Sequence, residues 1–244
     1  MIMKLILASF VSFAGLFVRG LTGFGSALIM TPLLLLFFDI KTVVVVTAIL
    51  EIAAGIAVTL QAREHVDKKS FFIVFPISVL GIVFGAYILV SFDSSILKKV
   101  FGGFTILFAL RILFLLWRGP AGKNVWPSGY GYVAGALGGV LGGLFGTAGP
   151  PIAIYLENQL KSKDTLRATM LMYFLVIDMI RLIPYTYSSL MTIFVLKICI
   201  VTLPASVAGA FVGKRVHFSI NEKGFRIAVS VLLIGTGFIL MLGK

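Results

Sequence analysis

The sequence predicts an all-α integral membrane protein made of two inverted structural repeats. Each repeat is expected to hold a glycine-broken re-entrant hairpin, or broken helix, followed by three transmembrane helices. Three observations predict this. First, hydrophobic residues make up 59% of the 244 positions and charged residues 12%, against roughly 45–50% and 25% in soluble domains. Second, the apolar residues gather into eight solid runs of helical length. Third, short motifs recur in order between the two halves at a nearly constant spacing.

The composition excludes a soluble enzyme, and it excludes disorder because polar low-complexity tracts are missing. Mean hydropathy is +1.10. The net charge of +12 comes from 21 Lys+Arg against 9 Asp+Glu. The basic residues lie singly or in pairs between apolar runs, as membrane loops under the positive-inside rule do. The partner they indicate is a lipid bilayer and not a nucleic acid. The single cysteine, Cys199, sits in an apolar run. It rules out an internal disulfide and a cysteine-based metal site, and reads as a packed small residue. The N-terminal stretch 1–15 resembles a signal peptide, but its apolar run continues past a cleavage point and is expected to be retained.

The elements follow in order. The first repeat, 1–122, holds a hairpin at 4–38 and helices at 40–61, 71–92 and 95–117. The second, 123–244, holds a hairpin at 130–157 and helices at 166–188, 190–212 and 222–243. Strands are excluded because the runs do not alternate and exceed barrel-strand length. Between the repeats, 118–129 carries Pro120, Gly122, Pro127 and Gly129 and reads as a linker. The run 5–38 is too long for one span of about 20 residues. Its middle carries Gly20, Gly23 and Gly25, and the run 130–156 carries Gly138, Gly139, Gly142, Gly143, Gly146 and Gly149 before Pro150 and Pro151. Each glycine weakens a helix by about 1 kcal/mol, and proline suits the first turn of a new one. Both segments are therefore expected to break.

The recurrences support duplication. Pro76, Ser78, Val79, Gly81 and Gly85 match Pro204, Ser206, Val207, Gly209 and Gly213 at an offset of 128. The stretch 20–26, GLTGFGS, matches 143–149, GLFGTAG, at an offset of 123. Loop charge orients the chain. With eight spans, Lys and Arg divide ten against seven; with six spans and two hairpins they divide twelve against five. The second division follows the positive-inside rule. It places both termini outside and makes the halves, with three spans each, inverted. Inverted repeats with broken helices are a feature of secondary transporters.

The candidate chemistry lies at the breaks. A half-helix starting inside a membrane points unpaired N–H groups and a positive dipole end at a ligand, and such ends bind anions. Ser26 and Thr147 offer capping hydroxyls. The candidate substrate-binding residues are Arg19, Thr22, Gly23, Gly25 and Ser26 in the first half, and Gly146, Thr147, Gly149 and Pro150 in the second. Glycines at 81, 85, 209 and 213 read instead as helix-packing positions. Arg19 lies inside an apolar run, where a charge costs at least about 2.5–3.5 kcal/mol and marks a pathway or a pair. It reads either as an anion ligand or as a side chain that snorkels to the interface. Glu51 and Asp178 lie mid-segment, and Arg181 follows Asp178 on the same helix face. These three are the proton-coupling candidates, with a plain Asp178–Arg181 pair as the alternative. Arg111 and Lys197 are expected to snorkel, and Glu157 to sit at an interface. The histidines, His65 and His217, fall in loops. No H-E-x-x-H, Walker A or G-x-S-x-G pattern is present, so neither an enzyme nor a cofactor or resident metal is expected.

The stretches VRGLTGFGSALIMTPLL at 18–34 and GGLFGTAGPPIAIYL at 142–156 resemble the paired signatures of the TauE/SafE sulfite-exporter family. The resemblance covers essentially the whole chain. It implies a multi-pass transporter of the bacterial or archaeal inner membrane, moving sulfur oxyanions such as sulfite, sulfoacetate or related sulfonates. The second motif departs from the more glycine-rich form, reading Thr147-Ala148-Gly149-Pro150-Pro151. The expectation is a secondary transporter for a small anion, a sulfur oxyanion or organic acid, working by alternating access with protons as a candidate coupling ion. A homodimer stays open. So do a cation or metal transporter built on Glu51 and Asp178, and a membrane subunit without transport of its own.

Overall fold

The computed structural model describes residues 2–118, 126–216 and 222–243. Most of the expected linker, with the repeat boundary at 122/123 and Lys123, lies outside the described residues, as do His217 and Lys244. Ten α-helices are described: α1 (Ile2–Thr22), α2 (Ser26–Leu34), α3 (Ile40–Ala62), α4 (Lys68–Ser91), α5 (Ser94–Arg118), α6 (Gly129–Phe145), α7 (Gly149–Gln159), α8 (Lys163–Tyr187), α9 (Ile193–Val216) and α10 (Glu222–Leu242), with a 3-10 turn at Arg63–His65. The described residues contain no strand. Eight apolar runs become ten helices because each expected hairpin is split in two.

Helix starts fall up to three residues before two of the apolar runs, because polar caps set them. Asp67 accepts from Ser70 N before α4, and Ser162 accepts from Thr165 N before α8. Asp39 accepts from Lys41 N before α3. α1 (with α3, α4, α5 and α9) is long and apolar enough to cross a membrane. The arms of the first hairpin are therefore unequal: a 21-residue helix and a 9-residue return. Large apolar side chains such as Leu80, Phe84, Leu107, Phe114, Ile200 and Val231 are exposed. In water they would form aggregation-prone patches; in a bilayer they are the lipid face. The chain is a multi-pass membrane protein.

Parallel pairs of helices form the frame. α1 packs along α9, and α6 along α4. A Cβ at Gly209 would meet the Phe13 carbonyl and one at Gly213 the Phe17 carbonyl. At Gly139 and Gly143 it would meet the carbonyls of Ser78 and Ile82. These glycines let backbones approach to contact. α3 lies antiparallel to α8, with Thr59 Oγ1 donating to Leu171 O. α5 lies antiparallel to α10, with Gly102 against Gly237.

Both hairpins return to the end of the bundle they left. Lys4 Nζ lies 3.4 Å from Phe37 O, and Gln159 Nε2 lies 2.6 Å from Trp126 O. Lys41 Nζ donates to Val90 O at the first of these ends. Asp67 N donates to Thr169 Oγ1, and Lys214 Nζ to Gln61 Oε1, at the other. Lys4, Lys41, Lys98 and Lys99 thus share one end. Arg63, Lys68, Lys69, Arg118, Lys161, Lys163, Arg167, Lys214, Arg215, Lys223 and Arg226 share the other. Eleven against four among the described residues follows the division expected for hairpins.

Candidate functional site

The two breaks end their helices in the same way. Gly23 has φ of +86° and Gly146 of +75°, the left-handed conformation that glycine adopts without a Cβ penalty. Gly23 N donates to Arg19 O at 2.8 Å, Gly146 N to Gly142 O at 3.0 Å, and Thr147 N to Leu141 O at 3.3 Å. The chain then turns, and α2 and α7 start with their N-termini at one central cavity. Thr31 Oγ1 donates to Phe145 O, and Tyr185 OH donates to Gly143 O at 2.8 Å. The first bond ties the two hairpins together, and the second fastens the second hairpin to α8.

Four buried charges meet there. Arg19 Nη1 lies 3.1 Å from Asp178 Oδ2 and 3.6 Å from Glu51 Oε2. Arg181 Nη2 lies 2.9 Å from Glu51 Oε2 and 3.1 Å from Asp178 Oδ1. Each half supplies one arginine and one carboxylate, so the quartet is formally neutral. None of the four side chains is more than 4% exposed. Charges this deep persist only when paired, since an unpaired ion loses its hydration. Gly55 leaves room for the Arg19 guanidinium, where a Cβ would sit 3.4 Å from Nη2. The ring of Phe174 covers Arg19, with Cζ 5.9 Å from its centroid.

The quartet does not use all its donors. Arg19 Nε and Nη2, Arg181 Nε and Thr147 Oγ1 are buried without a hydrogen-bond partner, whereas buried polar groups are almost always paired. Arg19, Gly25, Ser26, Glu51, Gly146, Thr147, Gly149, Asp178 and Arg181 all line the cavity. Its volume is about 20 Å³, room for one water and too small for a sulfur oxyanion.

Three expected ligands are not among the lining residues. Thr22 Oγ1 lies 2.6 Å from Phe24 O and 3.0 Å from Val18 O, and accepts from Phe24 N, so its hydroxyl is committed to the turn. Gly23 packs on Arg167, and Pro150 lies in the first turn of α7 behind Gly149. Ser26 is not the cap of α2: Gly25, at φ of +89°, holds that position, and Ser26 Oγ donates to Glu51 Oε1. The two turns are also unequal. A helix leaves its first four N–H groups free, and α2 presents all four, from Gly25 to Leu28. Pro150 and Pro151 have no N–H, so α7 presents only those of Ala148 and Gly149. Arg19 does not snorkel; it is 3% exposed. Arg111, Lys197 and Glu157 are exposed, away from the site.

Sequence reasoning missed Phe24, Ala27, Leu28, Ala148, Phe174 and Ile177, which also line the cavity. Phe174 carried a signal: an offset of 123 maps Glu51 onto it. The other five read as ordinary apolar positions.

Residues 7–240 match the family model described as Sulfite exporter TauE/SafE. The chain is similar to a protein of Cupriavidus necator named probable sulfite/organosulfonate exporter TauE. The two are 24% identical over 237 residues, which cover 94% of this chain and 90% of that protein. No solved structure matches the chain significantly.

Proposed function

The chain belongs to the TauE/SafE sulfite exporter family, and from that membership we propose that it is a secondary transporter carrying sulfite or a small organosulfonate across the inner membrane. The printed name of its Cupriavidus relative supports this substrate class. The observation that carries the reading is the neutral quartet, with three unpartnered guanidinium donors and the unpartnered Thr147 hydroxyl, between two helix N-termini. Guanidinium edges, a hydroxyl and helix-end N–H groups suit the oxygens of a sulfur oxyanion. Two arginines beside Glu51 and Asp178 disfavour a cation as cargo.

The mechanism follows from charge and room. A monoanion entering the neutral quartet makes it negative in a low-dielectric site, which is costly. A proton taken up on Glu51 or Asp178 restores neutrality and frees an arginine edge for the anion. Proton and anion then bind together, and α2 supplies most of the backbone donors. The 20 Å³ cavity must open for entry, and alternating access exposes this centre to each side in turn. The experiment is flux in proteoliposomes with sulfite, sulfoacetate and simple carboxylates. The expected result is sulfite or sulfoacetate flux in the wild type, lost in Arg19→Ala. No flux for any of these anions, or full flux in Arg19→Ala, overturns the reading.

A further inference from the structure

A second cavity lies at the basic end of the bundle. Its volume is about 210 Å³, and it is lined by residues of α3, the 3-10 turn, α8 and α9, among them Gln61, His65, Asp164, Arg167 and Lys214. It thus has room for an anion where the central cavity has none. Lys214 and Arg167 outweigh Asp164, so the lining is net positive even with His65 neutral. Lys161, Lys163, Lys68 and Lys69 at the same end deepen the positive potential, and a cleft focuses such a field.

Arg167 gives the cavity a specific anchor. Its Nη2 donates to Gly20 O, while its Nε is buried without a partner. Its side chain also backs the first hairpin turn, where a Cβ on Gly23 would lie 2.9 Å from Arg167 Cγ. The cavity is in line with the quartet. Val58 lines it one turn beyond Gly55, the residue that Arg19 touches. Along α8, Arg167 precedes Asp178 by eleven residues, about 16 Å of helix.

We propose that this basic vestibule is a second binding site for small oxyanions, where Lys214, His65 and the free edge of Arg167 hold the anion next to the Gly20–Gly23 turn before or after it occupies the central site. The proposal rests on the transport reading for its substrate class, but its binding test stands apart from it. An anionic lipid headgroup offers the same oxyanion chemistry, so the test separates the two sources.

The test is equilibrium binding of radiolabelled sulfite, at one pH, to the full chain in phosphatidylcholine nanodiscs. Wild type, the His65→Gln/Lys214→Gln double variant and Arg19→Gln are compared. His65 is exposed and Lys214 lies at the open end, so the double variant keeps the fold. Wild type is expected to show two classes of site. The double variant loses the weaker class, with at least about a tenfold drop in affinity there, and keeps the tighter one. Arg19→Gln does the reverse. A double variant that binds as the wild type does overturns the vestibule. An Arg19→Gln variant that binds as the wild type does overturns the central site and leaves the vestibule standing. The nanodiscs are then remade with phosphatidylglycerol. Survival of the weaker class supports a soluble-anion site; its loss at every sulfite concentration assigns the vestibule to lipid and overturns the proposal.

Discussion

Replacing Glu51 with Gln removes one charge from the quartet and leaves its size. The amide oxygen still accepts from Arg181 Nη2, while the amide NH2 takes the position facing Ser26 and donates to its Oγ. What changes is the balance, from neutral to +1. Removing one partner of a buried pair costs about 3–5 kcal/mol. Arg181 keeps Asp178 at 3.1 Å, and Arg19 keeps it at the same distance, so the low end applies, about 3 kcal/mol. At about 2–4 °C per kcal/mol for a chain of this size, the melting temperature falls by roughly 6–12 °C in anion-free buffer. A bound monoanion restores neutrality and returns stability, about 2.7 kcal/mol at a hundredfold excess over Kd. The assay is thermal unfolding with isethionate, whose sulfonate stays a monoanion throughout. In the wild type, one proton taken up per anion makes affinity rise as pH falls, by up to about tenfold per pH unit. In Glu51→Gln the anion itself balances the charge, so affinity is higher at neutral pH and the slope disappears. A variant as stable as the wild type without anion, or one with the wild-type pH slope, refutes the charge-balance argument.

Other outcomes follow from the same geometry. Gly146→Ala puts a Cβ 2.8 Å from Arg181 Nη1 at a φ of +75°; it costs about 1–2 kcal/mol in backbone strain alone and should abolish sulfite flux in proteoliposomes. Gly209→Val drives side-chain atoms into the Phe13 carbonyl and should destabilise the α1–α9 pair by at least about 1–3 kcal/mol, read as a lower melting temperature. In a Cys199→Ala background, Lys4→Cys and Lys41→Cys should react with an impermeant thiol reagent from one side of the membrane, and Lys161→Cys from the other. Labelling of positions 4 and 41 from opposite sides removes the hairpin.

The fold was legible in the sequence because its signals are physical extremes. Solid apolar runs mark the helices, and glycine clusters mark both breaks. The caps Asp67 and Ser162 were legible as residue types, but an apolar count starts a helix at its first apolar residue and so misses them. The four quartet residues stood out singly because charges in apolar runs are expensive. Only Asp178 and Arg181, three apart on one helix, were legible as a pair. The meeting of Arg19 with Asp178 depends on how α1, α3 and α8 pack, and no local pattern encodes that. Ser26 looked like a cap because serine usually caps; Gly25 took the position by adopting a left-handed φ, which freed the hydroxyl for Glu51. Pro150 and Pro151 correctly announced a helix start. The same residues strip that start of donors, a consequence that a helix-start rule does not carry.

The division of the quartet between the halves bears on how the proposed cycle can run. Arg19–Asp178 at 3.1 Å and Arg181–Glu51 at 2.9 Å join the two halves. Arg19–Glu51 at 3.6 Å and Asp178–Arg181 at 3.1 Å lie within one half each. If the quartet opens locally to admit a substrate, with Arg19–Glu51 drawing away from Asp178–Arg181, the joining pairs break and the internal pairs remain. Neither half is then left with a net buried charge, which is the state that costs most. Parting also exposes the guanidinium edges that faced the other half's carboxylates, and these are the edges an oxyanion needs. Had both arginines come from one half, opening would separate two positive charges from two negative ones and would cost far more. Exchanging Glu51 and Arg19, as Arg19→Glu with Glu51→Arg, keeps each half neutral. Moving a charge across, as Arg19→Glu with Asp178→Arg, leaves the first half with two acids and the second with two arginines. The first exchange should retain measurable sulfite flux and the second should lose it, although both preserve the neutral total. Equal flux from the two would show that the sharing between halves has no part in opening.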